Sequence, residues 1–385
     1  MSTGDITMSC RITRSRTPRT AAGFSLVEVM VGMLVGLIGM IVIFQMFEVS
    51  ESRRRSISGG SDAQTNGNLA LYSVERGIRQ SGYGLNNLLL LNCATLANDS
   101  SRATPSINFT VAPVRIQSAG DAGVPANTAA ATQMIIIMYS GSNGIGANDG
   151  VRLNGPATAG ANLPMTTIAG FTPTDLMIVA ETGKANCVLQ EVSGIPVGTN
   201  SLERNPAAPY NGAGGFGVDF TDSAMVFNLG KRQYDAANPQ RTHFTLQRFR
   251  IVNDALRVET LIPYDAASDR DGDGWSEAIV ANGVVSLQAL YGLDNGNGGA
   301  ANDGIVDEFA STTPGTPQAW RQVRAIRIAV LARNGQYEKE EVTFAAPAWR
   351  GGAFAMPAGD EWKHYRYRVY EVDVPVRNMI WQTGA

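Results

Sequence analysis

The residues best suited to chemistry are carboxylates. Asp269-Arg270-Asp271-Gly272-Asp273-Gly274-Trp275-Ser276-Glu277 sets acidic side chains at alternate positions around glycines. Ca2+ takes about six to eight oxygens from a chain that turns sharply around it, so the pattern matches the first half of a calcium loop. Asp269, Asp271 and Asp273 are the candidate side-chain ligands, with the Trp275 carbonyl and Glu277 as additions. Val280 stands where an EF-hand has its bidentate glutamate, and no helices flank the segment, so an EF-hand is excluded. The alternative is a solvated Asp/Gly turn. A second acidic loop, Asp294-Asn295-Gly296-Asn297 with Asn302, Asp303, Asp307 and Glu308 beyond, is richer in oxygen donors but irregularly spaced. It is expected to form its own site, to complete the first, or to be a flexible surface loop. Asn148-Asp149-Gly150 reads as a turn.

Raw material for catalysis is scarce. The chain has two histidines, His243 and His364. His364 alternates with Tyr365, Arg366, Tyr367 and Arg368 in what reads as a strand, which favours a sheet-surface or core role. Gly144-Ile145-Gly146 has Asp149 where a dinucleotide loop has its third glycine, and neither a P-loop nor a Gly-x-Ser-x-Gly elbow is present. No catalytic residue is assigned and an enzyme is not expected. A net charge of −3 gives no basic surface for nucleic acid, so none is expected as a partner. Of three cysteines, Cys10 lies near the N-terminus, leaving Cys93 and Cys187 as an even pair. They are expected either to form a disulfide, which an exported chain would keep, or to be two buried thiols.

These residues need a scaffold. With 385 residues, 44% hydrophobic and 17% charged, the chain can bury a sizeable core, and its 42 glycines predict many turns. From residue 85 on, short apolar runs alternate with Gly/Asn/Pro loops. They predict strands at Met134–Tyr139, Leu176–Ala180, Cys187–Val192, Ala224–Asn228, His243–Val252, Leu256–Leu261, Val284–Tyr291, Val323–Leu331 and Tyr365–Val374. Asn253-Asp254-Ala255 marks a hairpin. Mostly short connections imply antiparallel pairing. The expected fold is α+β, a long N-terminal helix packed on a large, loop-rich, mainly antiparallel β body.

The helix begins at the most informative segment. Residues 1–23 carry Arg11, Arg14, Arg16 and Arg19 against a lone Asp5, and Phe24–Phe47 is a 24-residue apolar run whose only charge is Glu28. A helix of that length measures roughly 36 Å, enough to cross a bilayer core of about 30 Å. The arginines place the body on the far side of the membrane. A signal peptide has a shorter apolar region with its small-residue cleavage site after it, whereas Ala21-Ala22-Gly23 comes before this one. A plain anchor leaves Glu28 unexplained, since an acidic side chain in a spanning helix costs about 2.5–3.5 kcal/mol. Helical spacing continues from Glu48 to Gln80, with Ala70, Leu71, Val74 and Ile78 on one face; Gly59-Gly60 and Gly67 predict a weak point or kink. Gly32 and Gly36 suit close helix approach, or reflect how common glycine is in spanning helices. Arg53, Arg54 and Arg55 are expected to touch lipid headgroups or to form a solvated face. Ser81-Gly82-Tyr83-Gly84 ends the helix.

Gly23-Phe24-Ser25-Leu26-Val27-Glu28 resembles the processing site of type IV prepilins and type II secretion pseudopilins. The resemblance implies that a prepilin peptidase cuts between Gly23 and Phe24 and methylates the Phe24 amine. It implies that Glu28, then fifth in the mature chain, meets a neighbouring subunit's N-terminus during assembly. The implied organisation is a leader at 1–23, an assembly helix at 24–82 and a periplasmic body at 83–385. Looser similarity to PilW-type minor pilins appears in Leu71–Gly82, Tyr291–Asp294, Val323–Arg333 and Val374–Asn378. It implies a single-pass inner-membrane protein that primes and enters a pilus used in twitching motility, at the filament tip. Its partners would be other minor pilins, the major pilin, a tip adhesin and the inner-membrane assembly platform. A J-like pseudopilin and a tip binding module are the alternatives. Residues 95–240 carry no resemblance.

Overall fold

The computed structural model describes residues 23–142, 149–212, 216–233 and 243–380. The leader arginines, Cys10, Gly144-Ile145-Gly146 and Asn148 lie outside the described residues, as do the side chains of Arg53 and Arg55. The chain divides into two compact units, Met1–Arg55 and Ser56–Ala385. One α-helix, Leu26–Gln80, contributes to both.

Within the larger unit the helix buries the face its spacing predicts. Ala70, Val74 and Ile78 are fully buried and Leu71 packs beside them. Burying a side chain such as Val74 or Ile78 contributes about 1.5–3 kcal/mol. Gly59, Gly60 and Gly67 do not interrupt the helix, which is continuous through all three. The physical reason is packing. A Cβ on Gly59 would overlap the Asn334 side chain, one on Gly67 the Tyr370 ring, and one on Gly77 would sit 2.8 Å from Ile137 Cδ1. These glycines let the sheets approach the helix, so tertiary contact outweighs a propensity cost of about 1 kcal/mol each. Gly82, at φ 79°, stops the helix. Asn378 Nδ2 then donates to the Gln80 and Ser81 carbonyls at 3.1 and 2.9 Å, tying the last turn to the far end of the chain.

Among the described residues three larger sheets make most of the body, with two two-stranded ones beside them. The five-stranded sheet runs Ser276–Asn282, Ala255–Ile262, Thr245–Val252, Gln133–Tyr139, Val114–Ser118. The four-stranded sheet runs Glu308–Ala310, Val284–Leu293, Val323–Arg333, Tyr367–Pro375. Both lay apolar side chains against the helix: Ile135, Ile137, Phe249 and Ile251 from one, Leu287, Tyr291, Ile326, Ile328 and Val374 from the other. The other face of the five-stranded sheet, through Met138, Leu246, Leu261 and Ile262, packs on Leu176, Ile178, Leu189 and Phe227 of a six-stranded sheet. That sheet is covered on its second face by Leu163, Met165, Phe171 and Phe220. Its strand Asp175–Ala180 is therefore buried at every position, which explains an unbroken apolar run.

The expected α+β architecture is the one observed. Every strand pairing in these three sheets is antiparallel except Ala94–Leu96 beside Asn186–Glu191. The hairpin at 253–254 is a two-residue turn with both residues at positive φ, 50° and 55°, joining Val252 to Ala255. Strands without a strong apolar run, such as Val114–Ser118 and Ser276–Asn282, were not among those expected. They form because a neighbouring strand offers its edge.

Candidate functional site

Gly23 and Phe24 precede the first helical turn, and the Phe24 side chain is 79% exposed. The Ser25 carbonyl accepts from the Glu28 and Val29 amides at 3.0 and 3.1 Å, and Ser25 Oγ accepts from Val27 at 3.3 Å. Glu28 thus stands in the first turn, where the positive end of the helix dipole favours a carboxylate. Leu26–Glu51 is long and apolar enough to cross a membrane, and none of it is buried. A continuous apolar surface of this kind requires lipid or other apolar helices to cover it. A Cβ on Gly23, Gly32, Gly36 or Gly39 would meet no atom within 4 Å. Packing among the described residues accounts for Gly59, Gly67 and Gly77 and leaves those four without a packing role there.

In the body, Asp269, Asp271 and Asp273 bring carboxylate oxygens within 4.8 Å of one another, close enough for one cation to bridge. Those oxygens are also engaged within the loop. Asp269 accepts from the Gly272 and Gly274 amides at 2.8 and 3.0 Å and from the Tyr264 hydroxyl at 2.8 Å. Asp273 accepts from the Trp275 amide at 2.9 Å and from Arg248 Nη2. The Arg248 guanidinium lies 4.0 Å from the centre of the Trp275 ring, and Arg250 Nη2 is 3.7 Å from Asp271 Oδ2. Burial raises the Asp273 carboxyl, and the Asp271 charge adds to it, against the pull of Arg248. Glu277 lies apart from the trio, in the Ser276–Asn282 strand, where it pairs with Arg257.

Sequence reading missed Arg248 and Arg250. Both are buried, both bond Glu259, and they supply the loop's positive charge from the neighbouring strand. Their signal was available, since Arg248 and Arg250 alternate with the core residues Phe249 and Ile251, placing two cations on one face of a strand.

The second acidic loop does not converge on a point. Asp294 is wholly buried and accepts from the Asn302, Asp303 and Gly304 amides and from Arg324 Nε at 2.9 Å. Burial pushes its carboxyl up, but the Gly304 amide, Arg324 and the Asn302 amide outweigh that and hold it below the usual range. Asn295 and Asn297 donate to the two oxygens of Glu308, Asp307 accepts from Gly296, and Asp303 from Ile305. The carboxylates and amides of this loop fold the loop itself.

A disulfide joins Cys93 to Cys187 with their Cα atoms 6.0 Å apart. It lies beside the parallel pairing of Ala94–Leu96 with Asn186–Glu191, where Thr95 is opposite Cys187.

Comparison with known families finds two matches. Residues 18–44 match the prokaryotic N-terminal methylation motif, and residues 248–378 match type IV pilus-assembly protein W, PilW. The second span includes the Asp269 loop, the Asp294 loop, the whole four-stranded sheet and Asn378, which bonds the end of the helix. No curated protein and no solved structure matches significantly.

Proposed function

We propose that this chain, a type IV prepilin-like protein of the PilW type, primes assembly of a type IV pilus and enters it as a minor pilin in a tip complex. One observation carries the reading: Gly23, Phe24 and Glu28 stand in the processing register at the head of an apolar helix that is exposed along Leu26–Glu51 among the described residues. Before assembly the helix holds the protein in the inner membrane with its body in the periplasm.

In this reading, hydrolysis of the Gly23–Phe24 peptide bond leaves a cationic amine on Phe24, which the peptidase methylates. Glu28 in hydrocarbon is costly alone and tolerable beside an amine. Mutual pairing between the Phe24 amine of one subunit and Glu28 of the next therefore favours transfer from lipid into a helical bundle. The chain's own chemistry is limited to this charge pairing and to binding neighbours.

Mass spectrometry of the protein from its native host is expected to show a mature chain beginning with methylated Phe24. Glu28→Ala and Gly23→Ala are expected to remove surface filaments and twitching while the body still folds. Retention of residues 1–23 in functional filaments would refute the reading. Loss of protein secretion with twitching intact would assign the chain to a secretion pseudopilus instead.

A further inference from the structure

A cleft of about 600 Å3 lies within the Ser56–Ala385 unit, between the helical stretch Gly60–Gln64 and the end of the four-stranded sheet. Ser61 and Gln64 line it from the helix, Asn334, Arg366 and Arg368 from the sheet. Arg366 and Arg368 are two residues apart on extended chain and so share a face. Arg366 Nε reaches Glu338 at 3.2 Å, while Arg368 has no carboxylate partner among the described residues. No acidic side chain lines the cleft among the described residues. Asn334 is buried against the helix at Gly59, and its Oδ1 accepts from the Gln336 amide at 2.9 Å. Guanidinium groups bond most strongly to anionic acceptors.

We propose that this cleft receives an aspartate or glutamate side chain of a neighbouring pilin subunit, an inference that rests on the minor-pilin reading. Charge decides the chemistry: Arg368, with no carboxylate partner among the described residues, and Arg366, held by Glu338 through Nε, line a cavity with no acid of its own. The walls favour a protein over a free phosphate or lipid headgroup. Ala63 and Val342 add apolar surface to the polar lining, which a peptide segment would cover and a small anion would leave bare.

The test uses the full-length protein in its native host. Arg368→Glu is expected to lower surface filaments at least tenfold, with normal protein levels and an intact Cys93–Cys187 bond, while Arg368→Lys retains most of them. Ser61→Glu, on the opposite wall, should give the same loss without touching the sheet. A photo-crosslinker at Gln64 should capture a second pilin subunit, and Arg368→Glu should abolish the adduct. An acid-to-lysine change in the captured subunit should restore filaments. Normal filaments and an unchanged adduct in both Arg368→Glu and Ser61→Glu would overturn the proposal. So would stabilisation of the purified wild type, but not of Arg368→Glu, by inorganic phosphate with filaments unaffected; that would mark a free-anion site. Glu28→Ala runs alongside. If it too assembles normally, the minor-pilin reading fails; if it alone loses filaments, only the cleft proposal fails.

Discussion

Asp294 shows how far a single carboxylate's role depends on what surrounds it. Three backbone amides and Arg324 converge on it in a wholly buried position. Asp294→Asn is therefore expected to cost about 3 kcal/mol, because it leaves Arg324 without its partner and places an NH2 among donors. Asp303→Asn, whose side chain accepts from the Ile305 amide in an exposed position, should cost under about 1 kcal/mol. Denaturant midpoints of the two variants check this. The sign of the pH effect at Asp294 follows from its lowered pKa. Its contribution is complete above the unfolded carboxylate range and is lost as pH falls through the lower folded value. His243 behaves differently. Burial lowers its pKa, so the unfolded chain binds the proton first and stability falls as pH drops below about 6.5. His243→Gln is expected to flatten that part of the stability–pH curve, measured by thermal melts between mildly alkaline and mildly acidic buffers.

At the scale of elements, the helix and the sheets meet through missing side chains. The Tyr370 ring occupies the space over Gly67, so Gly67→Val should destabilise the protein by about 1–3 kcal/mol through overpacking. Gly60, where a Cβ meets nothing within 4 Å, provides the opposite test. Gly60→Ala should stabilise by about 0.5–1 kcal/mol through helix propensity. Equal effects at the two positions would show that the glycines act through chain flexibility rather than fit; urea unfolding with helical signal as the readout distinguishes these outcomes.

Across the whole molecule, the body is a stack of layers closed by contacts between distant parts of the chain. Asn378 caps the helix that ends at Gln80, and the disulfide spans a sequence separation of 94. Cys93→Ser or Cys187→Ser is expected to cost about 2–5 kcal/mol. The effect should appear as a lower melting temperature of the body, with the proposed cleavage at Gly23 unchanged, because the bond lies within the Ser56–Ala385 unit. Destabilisation accompanied by loss of processing would mean that the two regions are coupled.

Local order alone determined the N-terminal half of the functional reading. The register of Gly23, Phe24 and Glu28 and the length of the apolar run are properties of consecutive residues, readable without knowing what they touch. The same holds for the amphipathic spacing of Ala70, Val74 and Ile78 and for the alternating strands. Only tertiary structure could decide the rest. Gly59 and Gly67 read as weak points until Asn334 and Tyr370, some 300 positions away in the chain, are placed against them. Asp294 reads as a ligand until the amides of 302–304 fold back onto it. Arg366 and Arg368 alternate along one strand pattern, but only sheet pairing and helix packing bring them together with Asn334 and Ser61. A motif of neighbours is set by bonds along the chain, whereas a cleft is set by which surfaces the buried apolar area brings into contact.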